Sequence, residues 1–181
     1  MADNQTAYLA LRELASKSLQ SAQQLPAQVD VVAQWSGVGF SLFGLNFIVS
    51  MGDLNEMLEV PPHTKLPGVE PWVKGVANVR GRLLPVFDLA AYFGGKLYGN
   101  KKQQRLLVID REQVYAGLWV DQVFGMQYFP VDSKTSTLPS TIPDSVVELT
   151  DGCFHVEGGM WTVFHPLKLL EQSRFLDVAV N

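Results

Sequence analysis

Gly75-Val76-Ala77-Asn78-Val79-Arg80-Gly81-Arg82-Leu83-Leu84-Pro85-Val86-Phe87-Asp88-Leu89 reads as a strand, a tight turn around Gly81 and a returning strand. Both arms are apolar and belong to a core, while Arg80 and Arg82 flank the turn and must reach solvent or a partner. No nucleophile, metal-ligand cluster or phosphate loop lies in this stretch. A rigid hairpin carrying two guanidinium groups at its tip is a surface made to be bound.

The flanking sequence is also strand-like. Val38, Phe40 and Leu42 alternate with small or polar residues, Gly44-Leu45-Asn46 is the expected turn, and Phe47, Val49 and Met51 alternate again. Residues 53–60 continue extended, with an irregularity at Gly52-Asp53. A single helical turn is expected over 70–74, and a short helix over 88–93 that ends at Gly94-Gly95. A second hairpin joins 105–109 to 114–120 around Asp110-Arg111-Glu112, and a strand follows over 123–131. Residues 132–144 read as the longest loop of the body. A third hairpin joins 146–156 to 160–164 around Gly158-Gly159. Pro166 then opens a C-terminal helix that buries Leu167, Leu170 and Phe175.

Residues 1–34 form an extension ahead of the body, 35–178. Leu11, Leu14, Ser18, Leu19, Ala22 and Leu25 recur at helical spacing, predicting an amphipathic helix over 6–24 that stops before Pro26. It either packs on the body or docks a partner. Its polar face has too few Lys and Arg for a lipid surface.

The two halves carry an internal repeat. At an offset of 77, Gly75, Val79, Gly81, Val86 and Phe87 meet Gly152, Val156, Gly158, Val163 and Phe164. At an offset of 68, Phe47, Met51 and Asp53 meet Tyr115, Trp119 and Asp121. Many short strands with frequent turns point to small closed sheets, which leave few edges. The expected architecture is mainly β: two pseudo-symmetric five-stranded barrels with a helix at each end of the chain. At the turns the repeats differ, Arg80-Gly81-Arg82 against Glu157-Gly158-Gly159, so the halves share a scaffold but not a tip.

Composition narrows the function. The chain has 181 residues, 47% hydrophobic and 18% charged, with a net charge of −4, which argues against nucleic acid held by counterion release. Lys101, Lys102 and Arg105 read as solvating a loop. The lone Cys153 points to a reducing compartment, and with no signal segment or apolar span the expectation is a cytoplasmic protein without membrane insertion. Cys153, His155 and His165 are at most three metal ligands where structural zinc wants four. There is no Gly-x-Ser-x-Gly elbow, no nucleotide loop and no carboxylate pair outside a turn. No catalytic residue, cofactor or metal is expected.

Gly75-Val76-Ala77-Asn78-Val79-Arg80-Gly81 followed by Leu84-Pro85-Val86-Phe87-Asp88-Leu89 resembles the signature hairpin of the CheW family of chemosensory coupling proteins. Leu54-Asn55-Glu56-Met57 matches a second family segment, with Glu56 placed 24 positions before Arg80. The resemblance covers about residues 36–175. Residues 66–75 and the ending Arg174-Phe175-Leu176-Asp177-Val178-Ala179, with the long N-terminal extension, are similar to the PilI-like subgroup that serves type IV pili and twitching motility. The resemblance implies SH3-like barrels in an interlocked CheW-like fold. It also implies a non-catalytic adaptor, recruited to membrane-associated arrays, that tethers the cytoplasmic tip of a methyl-accepting chemoreceptor to a CheA-type hybrid histidine kinase. The receptor groove would map to Leu54, Glu56, Gly75, Asn78 and Arg80, with Arg82 a weaker candidate. The alternatives are a structural pilus-assembly component and a ligand-binding β-barrel without a kinase partner.

Overall fold

The structure, a computed structural model, describes residues 3–21, 33–111 and 114–179. It comprises two compact units, Met1–Val31 and Val32–Asn181. In the first, helix α1 spans Asp3–Ser21, so it begins three residues earlier than the periodicity suggests. Residues 22–24 of the expected helix lie outside the described residues. Every side chain from Gln5 to Ser18 is exposed, Leu11 and Leu14 included. A Glu13–Lys17 pair at 2.9 Å adds the few tenths of a kcal/mol, ~0.2–0.5, that such i,i+4 contacts contribute.

The second unit is two curled sheets. Strands β1 (Gln34–Leu42), β2 (Leu45–Ser50), β9 (Gln122–Pro130), β10 (Lys134–Thr135), β11 (Thr150–Val156) and β12 (Gly159–Phe164) form one, in the order β10-β11-β12-β2-β1-β9. Strands β3 (Glu56–Glu59), β4 (His63–Thr64), β5 (Val73–Val79), β6 (Arg82–Asp88), β7 (Arg105–Arg111) and β8 (Val114–Val120) form the other, in the order β3-β7-β8-β6-β5-β4. Each sheet is thus the five expected strands plus a two-residue strand, β4 or β10, too short for alternation to reveal.

Position by position, the two orders match when β7-β8 is set against β1-β2, β3 against β9, β4 against β10 and β5-β6 against β11-β12. Each half of the sequence therefore gives its leading hairpin to the barrel built by the other half. The barrels are interlocked by this exchange, and neither half completes a barrel alone. The 77-residue repeat recurs in the register: pairing slips at Val73/Gly75 in one hairpin and at Thr150/Cys153 in the other. Ala77, Val79, Leu84 and Val86 fill one barrel, and their counterparts Phe154, Val156, Trp161 and Val163 line the other.

Alternation along a strand gives every sheet a second face, and these faces bury each other. On β8, Tyr115 and Trp119 turn into their own barrel, while Ala116, Leu118 and Val120 join a larger core between the sheets. That core takes Phe40, Phe47, Trp72, Phe87, Tyr92, Phe164 and Phe175, with Trp72 stacked on Phe175 at 5.1 Å. Trp72 is thus a core residue.

Several local expectations change. The β1–β2 hairpin turns at Phe43-Gly44, both at positive φ (58° and 74°), because Leu42 pairs with Leu45. Residues 70–72 make a turn closed by the Val73 amide donating to the Glu70 carbonyl, with no helical turn. Within 131–149, where strand and loop are expected, a 3₁₀ turn at Val131–Ser133 and helix α3 (Asp144–Val147) appear, and α3 buries Val146 against the large core. Residues 112–113 lie outside the described residues, and Asp110, expected in the turn, belongs to β7 itself. Helix α2 (Leu89–Tyr92) is capped by Asp88, whose carboxylate accepts the Ala91 amide at 2.9 Å. Helix α4 (Pro166–Leu170) starts on its proline, and a one-turn helix α5 (Ser173–Leu176) carries the buried Phe175. Leu169 and Leu170 are buried on α4, whereas Leu167 is half-buried.

Asp121 ties three segments of this unit. Its buried carboxylate accepts the backbone amides of Phe43, at 3.0 Å, and of Tyr98. Burial pushes this carboxyl up, against the pull of the two amides. The folded-state value lies above the unfolded one, so this group's contribution to stability declines as pH rises through that window. Asp121→Ala is expected to orphan both amides and cost about 2–4 kcal/mol. It should also lack that decline. Urea midpoints of both proteins, measured across the acid range, check both expectations.

Candidate functional site

The expected site sits on the β5–β6 hairpin. Val79 pairs with Arg82, which leaves Arg80 and Gly81 as a two-residue turn with φ of 52° and 83°. Positive φ at both positions is the type I′ geometry that suits the twist of a hairpin. Glycine adopts it freely, while an arginine there costs about 1–2 kcal/mol of backbone strain. The Asn78 side chain offsets part of this: its Oδ1 accepts the Gly81 amide at 2.9 Å. Asn78 is therefore a turn-closing residue.

Glu56 opens β3, opposite Val108 of β7, and the Asn55 amide donates to the Val108 carbonyl at 2.9 Å. Glu56 Oε2 lies 2.7 Å from Arg80 Nη2. The glutamate side chain is 17% exposed and the arginine 77%, so a held anion buttresses a cation that projects outward. A surface pair of this kind stabilises the fold by only about 0.2–1 kcal/mol. That does not account for an arginine kept in a strained turn.

Arg82 is engaged differently. Its Nη1 and Nη2 donate to the two carboxylate oxygens of Asp110, at 2.6 and 3.3 Å, and its guanidinium lies 4.0 Å from the Tyr115 ring centroid. Asp110 and Tyr115 face each other across β7 and β8. The Asp110 hydrogen bond holds the Arg82 guanidinium above its ordinary value.

The structure brings Glu56, Asn78, Arg80 and Arg82 to one end of one barrel. Gly75 lies further back on β5, at φ 128°, where a Cβ would overlap the carbonyl of Thr64 in β4. The chain's own edge strand fills that space. Leu54 is buried at 9% exposure in the core between the sheets. Leu83, opposite Asn78 in the hairpin, is 68% exposed, an outward apolar residue that no motif marks. Its signal is phase: it is apolar between the inward Leu84 and the turn, on the outward face. Asp110 and Tyr115 were also missed as site residues, since nothing local marks a carboxylate 28 positions from its arginine.

Elsewhere, two open hollows flank Arg174, one lined by Glu70, Trp72 and Asp177 and the other by Tyr92, Ser145 and Glu148. Neither includes the hairpin. The Cys153 thiol is buried and donates to the Thr137 carbonyl at 2.9 Å, while His155 points to solvent.

Residues 36–174 match the CheW-like domain model. The chain belongs to the CheW-like family. Members of this family are non-catalytic scaffold proteins, and the chain is not an enzyme. It is 46% identical to the protein PilI of Pseudomonas aeruginosa over 180 residues, covering 99% of this chain and all of that one. A chemotaxis protein CheW of Bacillus subtilis is 29% identical over 83 residues, 46% of this chain and 53% of the relative. Among solved structures, the scaffolding protein TtCheW of Thermoanaerobacter tengcongensis superposes with a TM-score of 0.65 at 26% identity, over 78% of this chain and 96% of its own. The chain is thus a PilI-like member of the CheW family. No described helix of this CheW-like protein is long and apolar enough to cross a membrane.

Proposed function

We propose that the protein is the adaptor that couples the cytoplasmic tip of a chemoreceptor to a CheA-type hybrid histidine kinase in the array controlling type IV pilus twitching. The observation that carries this reading is Arg80, largely exposed on a type I′ turn and buttressed by a mostly buried Glu56. A guanidinium fixed at one edge and open at the other is suited to bidentate or stacked contact with a partner. Likeness to PilI across almost the whole chain supports the pilus assignment. In this reading residues 35–178 are the adaptor domain, and residues 1–34 are an added element of that subgroup. Glu56, Asn78, Arg80 and Arg82 shape the receptor surface, with Leu54 and Gly75 acting from beneath it. The protein works in the cytoplasm, recruited to receptor arrays.

Reconstitution tests the coupling. Receptor cytoplasmic fragments templated on vesicles, the kinase and the adaptor are mixed and sedimented. The kinase is expected in the pellet only when the adaptor is present. Equal recovery of kinase without the adaptor sinks the reading, as does co-purification with pilus motor proteins in place of receptor and kinase.

A further inference from the structure

The two arginines at the hairpin tip have different structural surroundings, and the sheet around them shows why. Strands β6 and β8 run parallel, but their ladder covers only Val86↔Gly117 to Asp88↔Trp119. From Arg82 to Pro85, β6 is paired with β5 alone, so no ladder joins the end of the hairpin to β8. The other barrel differs here. Its equivalent ladder, β12 on β2, runs from Trp161 to Phe164, and the residue equivalent to Arg82 is Gly159, which has no side chain to form a tie. Where the ladder is shorter, an arginine supplies the cross-link.

That cross-link is held on two sides. The Asp110 carboxylate takes both terminal nitrogens of Arg82, which fixes the plane of the guanidinium, and the Tyr115 ring lies 4.0 Å beneath it. Asp110 and Tyr115 are themselves a cross-strand pair at the far end of the β7–β8 hairpin. Beyond the end of the ladder, the tip is therefore fastened to the neighbouring hairpin by side chains. Glu56 fastens it a second time, from β3.

We infer that Arg82, Asp110 and Tyr115 form a positioning clamp that keeps the Arg80-Gly81 turn in its strained form and so aims Arg80 at the receptor. This deepens the adaptor reading and rests on it. Arg82 acts through Arg80, and its own fork is spent inside the molecule.

The test uses the full chain with Arg82→Gln, Asp110→Asn, Tyr115→Leu and, as the conservative control, Tyr115→Phe. Two quantities are read: amide hydrogen exchange at Gly81, whose N–H reports the turn, and the Kd for a soluble fragment of the chemoreceptor tip. Each of the first three variants is expected to speed Gly81 exchange and raise Kd about fivefold, while Tyr115→Phe, which keeps the ring, changes neither. In an Arg80→Ala background the same variants should leave Kd where Arg80→Ala alone puts it, because there is no longer anything to aim. Unchanged Gly81 exchange in Arg82→Gln overturns the clamp. A further loss of affinity in the Arg80→Ala background also overturns it, since Arg82 would then touch the receptor itself. If Arg80→Ala alone leaves Kd unaltered, the receptor-site reading fails, and Gly81 exchange decides the clamp separately.

Discussion

Arg80→Glu is expected to fold as the wild type does and to lose receptor binding by about two orders of magnitude or more. The fold survives because the side chain is 77% exposed and the lost Glu56 pair is a surface one. Its removal costs about 0.2–1 kcal/mol, and repulsion between two glutamates adds a comparable amount. For a domain of this size each kcal/mol lowers the melting temperature by about 2–4 °C. Binding is affected more strongly. In the proposed adaptor reading a receptor group that meets the guanidinium would meet a carboxylate instead, and such losses at a desolvated charged contact run to about 2–5 kcal/mol. Arg80→Lys should fall between, because an ammonium keeps the charge but not the planar fork. Calorimetric titration with the receptor tip fragment, beside a thermal melt, gives both numbers. A Kd within threefold of wild type in a folded Arg80→Glu protein removes Arg80 from the interface.

The largest stability effect should come from Gly75→Ala, a single methyl group. Gly75 sits at φ 128°, and its Cβ would overlap the Thr64 carbonyl, which is backbone and has no rotamer to yield. The added methyl either displaces β4, with its His63↔Ala77 and Thr64↔Val76 pairs, or distorts β5 at its bulge. A cost of about 3–5 kcal/mol is expected, a large part of a domain's net stability. Gly152→Ala should behave alike, because Thr135 of β10 lies over Gly152 in the same way. Gly81→Ala is the control: its φ is 83° but nothing lies near its Cβ, so only backbone strain of about 1–2 kcal/mol applies. Urea unfolding of the three variants ranks them. If Gly75→Ala is as mild as Gly81→Ala, the edge strand is not what requires the glycine.

Much of the fold was legible because alternation and turn chemistry are local. The arms of the β5–β6 and β7–β8 hairpins, most of the β11–β12 hairpin, the short helix before Gly94-Gly95 and the Pro166 start came directly from period and punctuation. Repeat arithmetic reached further: Val79 with Val156 and Val86 with Val163 do occupy the two barrel interiors. The errors fell where tertiary context overrides local preference. Val146 reads as strand but is helical, because α3 buries it in the core between the sheets. Strands β4 and β10 exist because glycines at 75 and 152 let an edge approach closely, and two residues carry no period.

For the candidate site, the sequence alone determined the turn, the two arginines and the separation of Glu56 from Arg80. These follow from glycine chemistry and from a motif contiguous in the chain. Only the tertiary structure decided what each arginine does. Arg80 meets Glu56 and projects outward, while Arg82 is forked by Asp110 and stacked on Tyr115, groups that arrive from the β7–β8 hairpin in the other half of the chain. It likewise decided that Asn78 closes the turn and that Gly75 makes room for the chain's own backbone. The physical reason is the exchange of hairpins between the halves. Side-chain partners are set by which strands become neighbours, and here the leading hairpin of each half lies beside strands of the other half, which is how Asp110 and Tyr115 reach Arg82.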